Sequence, residues 1–507
     1  MQKPSAHPDE RSGLLRSKMF WVGILYFAEG LPLGIFYDVF PVHFRQQGVE
    51  LWKIGFMSLL GLAWTLKFLW APAIDHYRHH RRWMFAVELL MALVMVAFAI
   101  HGDFGPWVWF AIGLFTLLSA TNDIAIDGYT IEMLDKRELG LANGLRIGFY
   151  RVGMLAAGFI LILSDYLGWS STYLSAAGIL LLTGSLILLK APKEKPYRRP
   201  AGIRLATELR NLSRHPATLG TVVLFLLGTL WLIDRTVRWS EQVEGFWWYA
   251  VGAGALITSI GVIRRQTAPT EEGEEPPTGR GPMFGTLLEM LQRPYILPVI
   301  GFILIFKLGD AAMGFMVKPF WVDAGFSASQ IGLVSVNLGL VLSIAGGIVG
   351  GWITDRIGIF HGLWVLGLFQ AVSNLGYAGA AWALPLGEVN SGGELAFAHQ
   401  AIMYGASGLE SFTGGLGTAA FLAFLMAIVD KRASATEYAL LSSIFALSRS
   451  VAGWAGGFGA ESMGYAPYFL LTFFLSFPAY LLLPWVSKML AYAESRTDWQ
   501  SGAETAR

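Results

Sequence analysis

Apolar residues in this chain come in long blocks, not at the spacing of a surface helix or an alternating strand. Largely uncharged runs of about 20 residues, the length a helix needs to cross a ~30 Å hydrocarbon core, recur along nearly the whole chain. The first six lie near residues 19 to 44, 52 to 74, 83 to 100, 106 to 134, 139 to 164 and 171 to 189. Two more follow a polar linker, near 217 to 233 and 246 to 263, and after a second linker the last six lie near 294 to 320, 329 to 354, 362 to 383, 396 to 429, 434 to 459 and 466 to 486. This pattern predicts an all-α polytopic membrane protein with 14 transmembrane helices, or 12 if the short central pair lies on the membrane surface.

Composition agrees. Of 507 residues 54% are hydrophobic and 14% charged, against roughly 25% charged in a typical soluble domain. Net charge is +1, so no charge bias points to nucleic acid. Cysteine is absent, which removes disulfides, thiolate metal sites and cysteine nucleophiles. The first apolar stretch is too long for a cleaved signal peptide and reads as the first membrane helix.

Basic residues orient the helices. With the N-terminus in the cytoplasm, only Arg45, Lys53, Arg235 and Arg238 of the 37 Lys and Arg fall in outer loops; six more lie inside apolar segments, and the rest are cytoplasmic. The positive-inside rule then places both termini in the cytoplasm. The expected divisions are a tail (1–18), a six-helix half (19–190), a basic linker (191–216), the extra pair (217–263), a polar linker (264–293), a second six-helix half (294–486) and a tail (487–507). The basic linker is a topology signal and a candidate site for anionic membrane lipid.

The two halves resemble each other. GVELWKIG (48–55) matches GFSASQIG (325–332), each leads through a helix to an aspartate (Asp75, Asp355), and MLDKR (133–137) matches IVDKR (428–432). Two related six-helix halves joined by a cytoplasmic linker resemble the major facilitator superfamily of secondary transporters. GGWITDRIG (350–358), with Gly351, Asp355 and Arg356, is similar to that superfamily's cytoplasmic signature loop; the first half has a degenerate version, WAPAIDHYRHHRR, with Asp75 and Arg81.

A closer resemblance rests on AEGLP (28–32), KFLWAPAIDHY (67–77), NDIAIDGYTIEML (122–134), YRVGML (150–155), FKLGDA (306–311), QAVSNLGY (370–377), GGLGTAAFLAFLM (414–426) and SATEYALLS (434–442). Together these resemble the muropeptide permease (AmpG) family. The resemblance implies import of anhydro-muropeptides from the cell wall across the bacterial inner membrane, energised by the proton gradient and without a cofactor. It covers both halves but not residues 195 to 290, and the wider group also takes in siderophore and acyl-CoA permeases.

Charges inside the membrane are costly and normally face the bundle interior or a watery cavity. Asp123 and Asp127, four residues apart, share one helix face. Counting ~1.5 Å per residue from the cytoplasmic turn, Asp127 and Arg146 lie ~12 Å deep, and Asp123 and Arg151 ~18 Å deep. The expectation is two matched ion pairs: Asp127 with Arg146 as a gating or structural brace, and Asp123 with Arg151 either structural or handling substrate or protons. Lys307 and Asp310, three residues apart on one face, form either an intrahelical pair or a switchable pair that lines the cavity. Glu29, beside Gly30, Pro32 and Gly34, is expected to face the cavity. Lys67, Glu410 and Arg449 complete the buried charges, each a candidate for substrate or proton handling or a partner to another charge, and Glu88 is expected to snorkel from a helix end. Weaker candidates for contact with a sugar or peptide are Gln370, Asn374, Asn337, Tyr37, Tyr150 and Tyr404.

An enzyme fits poorly. All nine histidines fall in predicted loops, tails or helix ends, and there is no HExxH or nucleotide-binding glycine motif. A membrane-embedded transferase or a non-transporting sensor are the alternatives to a transporter of a small-molecule substrate. No metal site is expected, and the sequence names no protein partner.

Overall fold

A computed structural model describes residues 17–67, 70, 74, 79–134, 139–194, 293–386, 396–429 and 434–505. The extra pair at 217–263, nearly all of its linkers (195–216 and 264–292), and the signature residue Asp75 lie outside them. Contacts group the chain into two units, Met1–Pro196 with Pro298–Val429 and Tyr438–Arg507, and Tyr197–Leu297 with Asp430–Glu437. Nearly everything described belongs to the first.

All regular structure among the described residues is helical. The first half comprises α1 (Lys18–Gln46), α2 (Leu51–Leu66), α3 (His80–Ile100) and α4 (Pro106–Met133). A continuous stretch, Leu139–Lys190, then breaks at Gly168 (φ 77°) into α5 (139–167) and α6 (169–190). The second half comprises α7 (Ile296–Asp323), α8 (Ala328–Ile357), α9 (Ile359–Ala383), α10 (Phe397–Ile428), α11 (Ser434–Met463) and α12, which starts at Tyr465 and runs on to Thr505. Nine of the described stretches are long and apolar enough to cross a membrane. Large apolar side chains such as Phe110, Phe159, Leu182 and Trp382 stand more than half exposed on the outside of the bundle, as lipid-facing residues do and those of a soluble protein seldom do. The chain is a multi-pass membrane protein.

The internal repeat is visible in the backbone. Gly48 ends α1 and Gly325 ends α7, both left-handed (φ 77° and 85°). Each turn carries the same two hydrogen bonds: Gly48 N–H to Arg45 and Val49 N–H to Phe44, and Gly325 N–H to Val322 and Phe326 N–H to Trp321. This is a helix stop that favours glycine. Gly168 and Gly464 share a second such position (φ 77° in both), between the fifth and sixth helices of each half. The third pair is unequal: Gly358 (φ 83°) precedes α9, while His79 (φ 30°) precedes α3, so the degenerate loop places a side chain where its counterpart has none.

Irregular turns interrupt α1 and α7. Pro32 cannot donate to the helix ladder, and a π-helical stretch follows at Ile35–Val39. The run expected as one segment from 294 to 320 is two helices, Ile296–Ile305 and Leu308–Asp323, with Lys307 (φ −104°, ψ 19°) at the break.

Within each half glycines bring backbones together. A Cβ on Gly30 would sit 2.0 Å from the Tyr150 carbonyl where α1 crosses α5, and one on Gly346 2.0 Å from that of Phe412 where α8 crosses α10. Between the halves, Gly55 meets Gly457 (α2 with α11) and Gly332 meets Gly158 (α8 with α5). Polar ties between the halves cluster at the end of the bundle where α1 and α7 finish, here called the far end. Arg45 donates to both oxygens of Asp323 at 2.6 Å, Leu51 N–H to Glu461 at 2.8 Å, and Ser329 N–H to Asp165. Slightly deeper, Lys318 pairs with Asp38 at 3.3 Å and donates to Ser335, and Ser58 donates to the Ser450 carbonyl.

Candidate functional site

Inside the first half, five charged side chains from four helices converge. Lys67, just past α2, lies 3.5 Å from Asp123 of α4. One turn on, Asp127 pairs with Arg146 of α5 at 3.2 Å and accepts from the Tyr26 hydroxyl of α1 at 2.8 Å. The Arg146 guanidinium also lies over the Tyr26 ring, 4.8 Å from its centre. Glu29, one turn beyond Tyr26 on α1, completes the group; its charged neighbours are Asp123, Asp127, Arg146 and Lys67. Glu29 Oε2 and Asp123 Oδ1 are buried and accept no hydrogen bond from any described residue.

Asp127 and Arg146 thus meet, as depth matching expects, but Asp123 takes Lys67 instead of Arg151. Depth fixes height, not direction. At ~100° per residue, Asp123 and Asp127 are ~40° apart around their helix, whereas Arg146 and Arg151, five residues apart, are ~140° apart. The two arginines therefore cannot face the same helix. Tyr26 was absent from the expectations, and its spacing of three from Glu29 was the available signal. Glu88 does not snorkel: it sits mid-helix in α3, wholly buried, accepting from Thr183 at 2.5 Å and Asn122 at 3.3 Å.

In the second half Lys307 donates to Thr418 at 2.6 Å and to the Gly414 carbonyl at 3.4 Å, and lies 3.5 Å from Asp310. The helix break at Lys307 frees its ammonium to reach α10. Asp310 lines a small cavity with Gln370, Asn374, Phe306, Ser476 and Tyr480. Asn374 donates to Thr472, while its own Oδ1 and Gln370 Nε2 lack described partners. Glu410 accepts from Ser411 at 3.3 Å.

Between the halves, at mid-depth, the Arg449 guanidinium of α11 lies 4.4 Å from the ring centre of Tyr37 of α1. Arg449 is exposed although it sits mid-helix against the other half, so the seam is not closed at that point. Arg151 and Tyr150 of α5 lie at the same level, half-buried.

Two weaker candidates belong to packing. Tyr404 stacks on Trp321 and its hydroxyl accepts from Gln330 near the far end. Asn337 is wedged against Gly158 at the seam. Of the signature residues, Arg81 caps the end of α6, donating to the carbonyls of Leu188 and Ala191. Arg356 stacks on Trp352 at 3.9 Å, and Asp355 is exposed.

Two helical repeats sealed at one end around a charged interior define a secondary transporter of small molecules. The profile of the Major Facilitator Superfamily matches residues 22–391, and the chain belongs to that superfamily. It is similar to the anhydromuropeptide permease of Escherichia coli, 26% identical over 493 residues, which are 94% of this chain and 83% of the relative. A Rickettsia conorii transporter named AmpG 4 is 23% identical over 486 residues, 93% of this chain and 96% of the relative. Among solved structures the fold is similar to a peptide transporter, POT, in complex with sulfate (TM-score 0.63, 12% identity, covering 93% of this chain and 95% of that one). It is also similar to the nucleoside transporter NupG (TM-score 0.56, 11% identity, covering 93% and 100%). The relatives are transporters, and so is this protein; it is not an enzyme.

Proposed function

We propose that the protein imports anhydro-muropeptides or closely related cell-wall sugar-peptides across the bacterial inner membrane, coupled to protons, by rocking of the halves 19–190 and 294–486 about the central cavity. Both termini lie in the cytoplasm in this reading, so the far end faces outward and the structure is closed to the outside. The substrate class rests on similarity to the anhydromuropeptide permease along 94% of the chain.

The observation that carries proton coupling is the charge balance of the first-half cluster. Glu29, Asp123 and Asp127 stand against Lys67 and Arg146, three carboxylates against two cations, so the group is neutral with one proton bound. Net charge at membrane depth is costly. Glu29 Oε2 and Asp123 Oδ1, the two unpartnered oxygens, are the positions for that proton. Rocking that separates Lys67 from Asp123, or Arg146 from Asp127, changes which charge the proton must offset, and this links protonation to conformation.

Uptake of labelled disaccharide-peptide into proteoliposomes, with and without an imposed pH gradient, tests the reading. Accumulation above equilibrium only with the gradient is the expected result; equal uptake in both would remove proton coupling, and no uptake would remove the substrate. For orientation, Asp103, exposed between α3 and α4, is a suitable reporter in a chain without cysteine. Asp103→Cys should react with an impermeant maleimide on intact cells; labelling only after permeabilisation would invert the topology.

A further inference from the structure

Of the cations inside the bundle, most have a carboxylate of the protein itself. Lys67 has Asp123, Arg146 has Asp127, Lys307 has Asp310 and Lys318 has Asp38, all at 3.5 Å or less. Arg151 and Arg449 have none among the described residues. Arg449 lies over the face of Tyr37, and its charge opposes that of Arg151.

Each lies inward of a contact across the seam. Arg449 immediately precedes Ser450, whose carbonyl takes the Ser58 hydroxyl at 2.6 Å across the seam. Arg151 lies seven residues before Gly158, where α5 meets α8, and so ~10 Å deeper than that contact. Each half thus contributes one guanidinium with no carboxylate partner among the described residues, Arg449 next to a seam contact and Arg151 ~10 Å inward of one. An arginine without a counter-ion at membrane depth is costly, and a guanidinium is built to hold a carboxylate through two parallel hydrogen bonds.

We propose that Arg151 and Arg449 form a two-armed carboxylate clamp, one arm from each half, that binds the acidic peptide portion of the substrate. The ring of Tyr37 holds the Arg449 arm in place through its π-face. Two like charges facing each other across an empty cavity repel and favour separated halves on that side. A bridging dianion reverses the sign and draws the halves together, so the clamp selects acidic cargo and couples its binding to closure. The inference rests on the transport reading but specifies a chemistry that stands or falls separately.

The test is ligand binding to the full-length purified protein, followed by thermal shift and titration. Three probes are used: the anhydro-disaccharide-peptide with free carboxylates, the same molecule with its carboxylates amidated, and the sugar-free acidic peptide. The wild type should bind the acidic disaccharide-peptide on the order of tenfold to a hundredfold more tightly than the amidated form, the range a charge-assisted hydrogen bond supplies. Arg151→Gln and Arg449→Gln should each abolish most of that preference, lowering affinity for the acidic form far more than for the amidated form. Arg151→Lys and Arg449→Lys should recover part of it, and unliganded melting close to that of the wild type shows that the variants are folded. Equal affinity of the wild type for charged and amidated forms overturns the clamp and leaves the muropeptide reading standing. Binding of the sugar-free peptide but of neither disaccharide keeps the clamp and overturns the muropeptide reading. Binding of no probe overturns both.

Discussion

Asp127 and Asp123 sit one turn apart on α4 but in different surroundings, and that separates what their replacement does. Asp127 holds Arg146 and Tyr26 together; its side chain is 30% exposed and that of Arg146 43%, so solvent screens the pair. Asp127→Asn is expected to cost about 1 kcal/mol, read as a small fall in melting temperature, and to weaken gradient-driven uptake, because it leaves two carboxylates against two cations while keeping both unpartnered oxygens. Asp123 is 9% exposed and has one oxygen without a partner. Asp123→Asn keeps the shape but removes a proton site, so it should abolish accumulation driven by a pH gradient while sparing downhill exchange. Glu29→Gln should do the same, and full gradient-driven uptake by either variant would move the coupling elsewhere. Stability lost in Asp123→Asn, which strands the Lys67 ammonium, should be partly restored by Lys67→Met. The sequence revealed which residues are charged at depth and, through the i, i+4 spacing, that the two aspartates share a face. It did not reveal the Lys67 partnership, because that depends on how α2 is placed beside α4, which a count of residues along one helix does not contain. Glu88 was misjudged for a related reason: Thr183 and Asn122, which satisfy it, come from distant parts of the chain.

At the level of helices, nearly all of the described elements were legible, since a 20-residue apolar run has few alternatives in a membrane. Their interruptions were less so. The break at Lys307 has neither Gly nor Pro at the break itself, and the contacts made there, from Lys307 to Thr418 and Gly414, come from a distant helix. Close helix crossings are carried by particular glycines, and these give a paired prediction. Gly30→Val places a side chain against the Tyr150 carbonyl, 2.0 Å from the new Cβ, and should cost about 1–3 kcal/mol as α1 is pushed off α5. Gly178 of α6 has nothing within 4 Å of an added Cβ, so Gly178→Ala should be neutral or stabilise by up to about 1 kcal/mol through helix propensity alone. Melting curves of the two variants in one detergent decide it; equal effects would mean that the α1–α5 crossing is not tight.

For the whole molecule, duplication was readable from the matched turns at Gly48 and Gly325, whereas the closed state was not, because it depends on side chains that meet across the halves. Arg45 and Asp323 are the far-end latch, a two-hydrogen-bond pair to which Tyr465 also donates. Asp323→Asn weakens that latch and should shift the population toward the opposite state. Ser58→Cys is a reporter, because Ser58 is 1% exposed in the closed seam. Impermeant maleimide should label Ser58→Cys slowly alone and several-fold faster beside Asp323→Asn; equal rates would show that the latch does not hold the seam. The repeated backbone turns carry one more consequence, about how the polypeptide needs to be connected. Each half has its own helix stops and its own glycine crossings, and the halves meet through Gly55 and Gly457, Gly158 and Gly332, and the Arg45–Asp323 latch, none of which requires a peptide bond between them. Severed in the polar stretch at 264 to 282 and co-expressed as two polypeptides, the fragments should find each other in the membrane and restore uptake.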